Sequence, residues 1–242
     1  MSKLRVIAAV GAGLFLFNIL AASAKEDSSA TVPDTASAST NLHEAADLLK
    51  AGQPRRALSE HIDKVIASYE LAHKDTKKRV YNARTQEEML YYLITATKSA
   101  EKEGAVVEDS LWSAALYMRA YALIDLGQPD EAKKSLLKAL EIEPQNAQYL
   151  GELGHIYQEE KDWPNALGTF EKAATAAETF SPDKRKTAEL TRAWRGMGYV
   201  LTEQGKLDEA AKQYKKCLKL NKNDRIAKGE LEYIKGLKAK RR

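Results

Sequence analysis

The sequence predicts an all-α fold, a solenoid of antiparallel helix hairpins closed by a C-terminal capping helix. Three observations predict it. Leu116, Ala120, Leu123, Ala132, Leu136 and Ala139 return 34 positions later as Leu150, Gly154, Tyr157, Ala166, Phe170 and Ala173. They return again 44 positions on as Trp194, Gly198, Leu201, Ala210, Tyr214 and Cys217. Small residues at fixed points of a repeat let two helices approach closely. Gly127, Lys161 and Gly205 hold the same turn in the three copies. The chain of 242 residues is 30% charged with only 13 Gly and 6 Pro, which suits solvated helix surfaces better than a β-protein.

Taken in order, residues 1–24 read as a signal peptide. Lys3 and Arg5 form a basic n-region, Val6 to Leu20 an apolar run, and Ala22-Ser23-Ala24 a small-residue cleavage site, so the protein is expected to be exported and cleaved near Ala24. The apolar run lies at the lower edge of the roughly 17–25 residues that span a bilayer, so an uncleaved anchor is the alternative. No Cys follows the run, which argues against a lipoprotein. Residues 25–40, rich in Ser, Ala and Thr, predict a disordered leader.

Residues 41–110 predict a degenerate helical repeat region. Asn41 is the expected cap of a first helix, with Glu44 near capping-box spacing. That helix should end near Gly52, and Pro54 suits the first turn of a second helix over about 55–73. Lys74 to Arg84 is strongly basic and is expected to be a turn or loop. Thr85-Gln86-Glu87-Glu88 is a capping box opening a helix through about Glu103, with Leu90, Leu93, Ile94 and Thr97 as its apolar stripe and Gly104 at its close. Three regular hairpins follow over 111–224, with helices near 110–126, 130–142, 147–160, 164–178, 185–204 and 208–220. A capping helix near 224–238 and a basic tail occupy 225–242.

The repeat positions resemble the tetratricopeptide repeat over roughly 113–224, and weakly over 40–75 through Ala45, Leu48, Gly52 and Ala57. Pro144 closes the first copy; Pro182 closes the second only after extra residues, and Lys222 stands where Pro is usual in the third. Locally the chain is similar to small exported repeat proteins of Gram-negative bacteria. The resemblance implies a right-handed solenoid whose first helices line a concave, peptide-binding groove. Carried over position by position, the groove residues are Tyr121, His155 and Tyr199, then Tyr117, Gly151 and Arg195, with Gln148, Arg192 and Gln158 beside them. Tyr and His rings offer apolar area with a hydrogen-bonding tip. Gly151 should leave a dent, and Arg192 with Arg195 can meet a carboxylate bidentately. The rings packing on one another is the competing reading. The acidic C-terminus clamp of this family wants Lys and Asn where this chain has Tyr and His.

Other chemistry is thin. There is no HExxH, GxSxG, P-loop or strand-linked GxGxxG, so neither catalysis nor a cofactor is expected. His43, His61, His73 and His155 are scattered, and His155 with Glu159 supplies only two potential metal ligands. Cys217, the single cysteine, is expected to be buried and inert. From Lys206 to Arg242 there are 13 basic and 5 acidic residues. This zone reads as a solubilising cap or as a peripheral contact for anionic headgroups. Nucleic acid is not an expected partner, because aromatics are sparse there and export separates the chain from it. The sequence therefore predicts a non-enzymatic interaction scaffold of the cell envelope that binds a polypeptide segment. The alternatives are an envelope assembly factor tethered by its N-terminus or basic tail and, remotely, an envelope hydrolase with an unrecognised site.

Overall fold

A computed structural model describes residues 34–98 and 104–240. The signal-peptide reading, residues 25–33 of the expected leader and the end of the basic tail fall outside the described residues. Helix α1 (Thr35–Lys50) begins ahead of the expected start at Asn41. Asp34 supplies the reason: its Oδ1 accepts from the amides of Ala36 and Ser37 at 3.1 and 3.2 Å. The stretch from Thr35, expected to belong to a disordered leader, is thus helical. Asn41 sits inside the helix, where its Nδ2 donates to the Ser37 carbonyl.

After Gly52, at φ 69°, α2 (Pro54–Arg56) runs through a π-helical turn (Ala57–Ile62) into α3 (Asp63–Ala72). Ala38, Leu42, Ala45 and Leu49 of α1 join Ile62, Val65, Ile66 and Tyr69 in one core with the first hairpin.

The expected loop at 74–84 contains a strand. β1 (Arg79–Asn82) pairs in parallel with β2 (Ala105–Glu108), in register from Arg79↔Ala105 to Asn82↔Glu108. Val80 and Tyr81 facing Val106 and Val107 give both segments strand-forming side chains. The crossover between them is α4 (Gln86–Lys98), capped by Thr85, whose Oγ1 accepts from the Glu88 amide.

Helix α4 is turned over relative to its apolar period. Its buried residues are Glu88, Tyr92 and Ala96, while the expected core stripe faces solvent, with Leu90 57%, Leu93 37% and Ile94 52% exposed and Thr97 exposed beside them. The surface beneath it is polar. The Tyr92 hydroxyl donates to Glu88 Oε1 at 2.7 Å and accepts from the Gln145 amide at 2.9 Å, and its ring stacks on Tyr81 at 4.7 Å.

The hairpins are α5 (Leu111–Asp125) with α6 (Pro129–Ile142), α7 (Ala147–Glu159) with α8 (Trp163–Phe180), and α9 (Asp183–Glu203) with α10 (Leu207–Leu220). Their turns place Gly127, Lys161 and Gly205 at φ 72°, 58° and 74°. The repeat positions form the core: Leu116, Leu136, Ala166, Phe170, Ala210, Tyr214 and Cys217 are buried, with Tyr157 and Trp194 packed against them. Helices close tightly on rings. A Cβ on Gly154 or Gly196 would lie 2.7 or 2.5 Å from Phe170, and one on Gly198 2.7 Å from Tyr214. α11 (Arg225–Lys240) covers α10 with Ala227 and Ile234. Asp224 caps it by accepting from the Ala227 amide. Among the described residues no helix is long and apolar enough to cross a membrane.

Candidate functional site

The first helices of the hairpins, α5, α7 and α9, carry every residue predicted for the groove. Tyr121, His155 and Tyr199 are all partly exposed. His155 packs edge-on against Phe170, ring centroids 5.0 Å apart. Burial, with Arg192 and Arg195 nearby, lowers its pKa to about 3, so near neutral pH the imidazole is uncharged. It can then both donate and accept a hydrogen bond.

Between α5, α7 and α9 the predicted residues join a network. The Tyr117 ring stacks on Tyr149 at 5.0 Å. Its hydroxyl accepts from Gln148 Nε2 at 2.9 Å and donates to Glu152 Oε1 at 3.2 Å. Arg192 closes on the same Glu152 oxygen at 2.6 Å. Arg185 donates to the Gln148 side-chain carbonyl.

Three expectations change here. The dent at Gly151 is occupied, because Arg192 Cδ lies 3.6 Å from where a Cβ would stand. Arg192 and Arg195 do not form one open fork: Arg192 is paired with Glu152, and Arg195 with Asp224 at 3.7 Å. Both arginine side chains nonetheless remain part-exposed, at 27% and 29%. Gln158, taken as groove-lining, is buried at 6% exposure. Cys217 is fully buried, and burial pushes its thiol up to about 11, consistent with inert packing. Glu159 is exposed, and among the described residues no group of His, Cys, Asp and Glu is arranged to hold a metal.

Sequence reasoning missed Glu152 and Arg185, and it missed a second cluster entirely. Arg84, on the turn between β1 and α4, reaches across two inter-repeat turns. Its guanidinium lies 2.9 Å from Glu189 of α9 and 3.2 Å from Glu143 between α6 and α7, with Glu88 at 4.0 Å. All four side chains are 8% exposed or less. Ser113 Oγ and Asn146 Nδ2 donate to Glu143 at 2.5 and 2.9 Å, and Ser181 donates to Glu189. Burial, reinforced by Glu88, raises Glu143 to about 8 despite Arg84. Burial opposes charge on Arg84, but Glu189, Glu143 and Glu88 outweigh it and hold the guanidinium protonated. Three carboxyl groups around one guanidinium, with the Glu143 carboxyl protonated near neutral pH, form a buried structural hub that fixes the β1–α4–β2 unit across the ends of α7 and α9. The sequence signal for Glu143 and Glu152 is a carboxylate set within apolar company, beside Ile142 and Pro144 and between Gly151 and Leu153.

Comparison with known proteins agrees with this architecture. Two tetratricopeptide repeat families match the sequence, one over residues 113–146 and one over 145–223. No curated protein matches the chain. Among solved structures, that of Pseudomonas aeruginosa PilF superposes with a TM-score of 0.56 at 16% identity, covering 85% of this chain and 71% of that one. The first tetratricopeptide domain of Spaghetti (RPAP3), bound to an HSP90 peptide, gives 0.47 at 24% identity, covering 54% and 96%. The N-terminal domain of stress-induced protein-1 from C. elegans gives 0.45 at 19%, covering 51% and 94%. Residues 113–223 are a tetratricopeptide-repeat domain within an all-α helical-hairpin solenoid.

Proposed function

We propose that the protein is a non-enzymatic interaction scaffold of the bacterial cell envelope that binds a polypeptide segment along α5, α7 and α9. What supports this reading is the set Tyr121, His155 and Tyr199 on the first helices of the three hairpins. They share one repeat position and stay partly exposed where core positions are closed. A neutral imidazole and two phenols offer rings and hydrogen-bonding tips to an extended chain. Arg192 and Arg195, held in place by Glu152 and Asp224 but not covered, add part-exposed cations that favour acidic side chains or a carbonyl-rich backbone. Stacked helical repeats present such extended surfaces as a rule. The envelope assignment is supported by the basic n-region, apolar run and Ala22-Ser23-Ala24 site of residues 1–24.

The test is a crosslinking pull-down from envelope extract, beside a variant with Tyr121, His155, Tyr199 and Arg195 changed to Ala and its helicity confirmed. A partner held by the wild type and lost by the variant supports the groove; equal capture by both removes it. A second reading, an assembly factor tethered to a membrane, is favoured by exposed Lys212, Lys215, Lys219, Arg225, Lys228 and Lys235 on α10 and α11. Pelleting with membranes that high salt reverses would support that reading, since headgroup attraction is screened.

A further inference from the structure

The turned-over face of α4 has no role in the groove. Leu90, Tyr91, Leu93 and Ile94 are 57%, 41%, 37% and 52% exposed. Leu90 stands three and four residues from Leu93 and Ile94, and Tyr91 three from Ile94, so the four form one continuous patch, whose Tyr91 edge also packs against Phe180 of α8 at 5.0 Å. Hydrophobic pull would ordinarily roll such a helix inward. Here the opposite face is fixed by the Tyr92 stack on Tyr81, the Tyr92 bonds to Glu88 and Gln145, and the Arg84 hub. The apolar face is therefore held rigidly outward.

Topology adds charge to one end of that face. Because β1 and β2 are parallel, α4 must run back to the starting ends of both strands. Its last turn, with exposed Lys98, therefore lies toward that end, and among the described residues leading into β1 Lys74, Lys77 and Lys78 are exposed with Asp75. Glu87 lies at the far end of the helix.

Size decides between occupants. The outer face of a 13-residue helix is about 20 Å long and 10 Å wide, or roughly 200 Å². A stable protein partner or a second copy needs roughly 800 Å² per side. A lipid surface needs only a few apolar side chains in the headgroup region and cations at the phosphates.

We propose that the outer face of α4 docks on an anionic phospholipid surface, with Leu90, Tyr91, Leu93 and Ile94 in the headgroup–acyl boundary and Lys77, Lys78 and Lys98 on the phosphates. This surface is separate from the basic helices α10 and α11 and does not depend on the groove reading. It orients the solenoid on the membrane with the hub above the lipid.

The experiment uses the full chain with environment-sensitive probes on single replacements Leu90→Cys, Ile94→Cys and Glu171→Cys, the last on the exposed side of α8; native Cys217 is fully buried and stays unlabelled. Each is mixed with vesicles of phosphatidylglycerol and phosphatidylethanolamine whose acyl chains are brominated, and with phosphatidylcholine vesicles. Quenching at 90 and 94 but not at 171, confined to anionic vesicles, is the expected result. Lys77→Glu with Lys78→Glu should weaken it roughly tenfold, and more so at low salt. Equal quenching at all three positions would mean that another segment holds the chain on the vesicle and would overturn the proposal. So would no quenching together with concentration-dependent self-association or capture of a protein through Leu90, which would reassign the face to a second copy or a protein partner.

Discussion

The hairpins α5–α10 and the β1–α4–β2 unit bury opposite kinds of side chain. Between the hairpin helices lie Leu136, Phe170, Tyr214 and glycines that admit their rings; beneath α4 lie Glu88, Glu143, Glu189 and Arg84. The hairpins need only their neighbours, because each apolar position meets a partner about one repeat away. The α4 unit instead straps two inter-repeat turns, whose exposed backbone and carboxylates offer it hydrogen bonds and charge rather than apolar area. A helix that docks on such a surface turns its polar side in and its Leu and Ile out. The difference teaches that an apolar period marks the face that would be buried against apolar neighbours, and the surface actually available decides.

The largest expected effect breaks that comparison at the hub. Arg84→Met leaves the carboxyl groups of Glu88, Glu143 and Glu189 buried without the cation they face and should cost about 3–5 kcal/mol in urea unfolding. Hydrogen exchange should then show α4 opening before the hairpins. A loss below about 1 kcal/mol would mean that water already reaches the hub and that α4 is held by its tyrosines alone.

pH sharpens the same contrast. Glu143, raised to about 8 by burial and by Glu88, holds a proton in the folded chain that the unfolded chain, near 4.5, has released. Its contribution to stability is complete below about 4.5 and is lost as the pH rises through about 8. His155, lowered to about 3 by burial and the two arginines, acts the other way: its contribution is present above about 6.5 and lost as the pH falls toward 3. Of these two groups, only Glu143 contributes a slope between 6.5 and 8. Glu143→Gln, with a permanently neutral side chain, should flatten the fall in melting temperature over that window; an unchanged slope would place the titration elsewhere.

Within the hairpins the effects come from shape. Gly196→Ala puts a methyl 2.5 Å from the fully buried Phe170 ring and should cost about 1–3 kcal/mol. Gly168→Ala, on α8 with nothing within 4 Å, should be neutral or stabilise by up to about 1 kcal/mol. Equal effects from the two would mean that the helices can move apart and that the repeat is packed more loosely than its glycines indicate.

The hairpins were legible in the sequence because their information is local. Ala132, Leu136 and Ala139 name their own partners one helix earlier, and the helix ends fall within a few residues of the caps and turns that predict them. The same locality made Tyr121, His155 and Tyr199 readable as one repeat position. The α4 unit was not legible, since the groups that invert it are far away in sequence: Tyr92 meets Gln145 across 53 residues and Arg84 meets Glu189 across 105. Glu152 escaped for a related reason. It stands outside the positions that line a groove by repeat rule, yet it binds Tyr117 and Arg192 together.

The smallest expected effect tests how strictly the repeat rule holds. Lys161 occupies the turn that Gly127 and Gly205 fill in the other hairpins, and it adopts the same left-handed backbone at φ 58°. A Cβ in that region crowds the following carbonyl, whereas Gly tolerates it. Lys161→Gly should therefore raise stability, though by less than about 1 kcal/mol, because the unfolded chain also gains freedom. A loss instead would mean that the Lys161 stem packs on the turn enough to outweigh the backbone strain. The second hairpin would then be held by a contact that the first and third do not need.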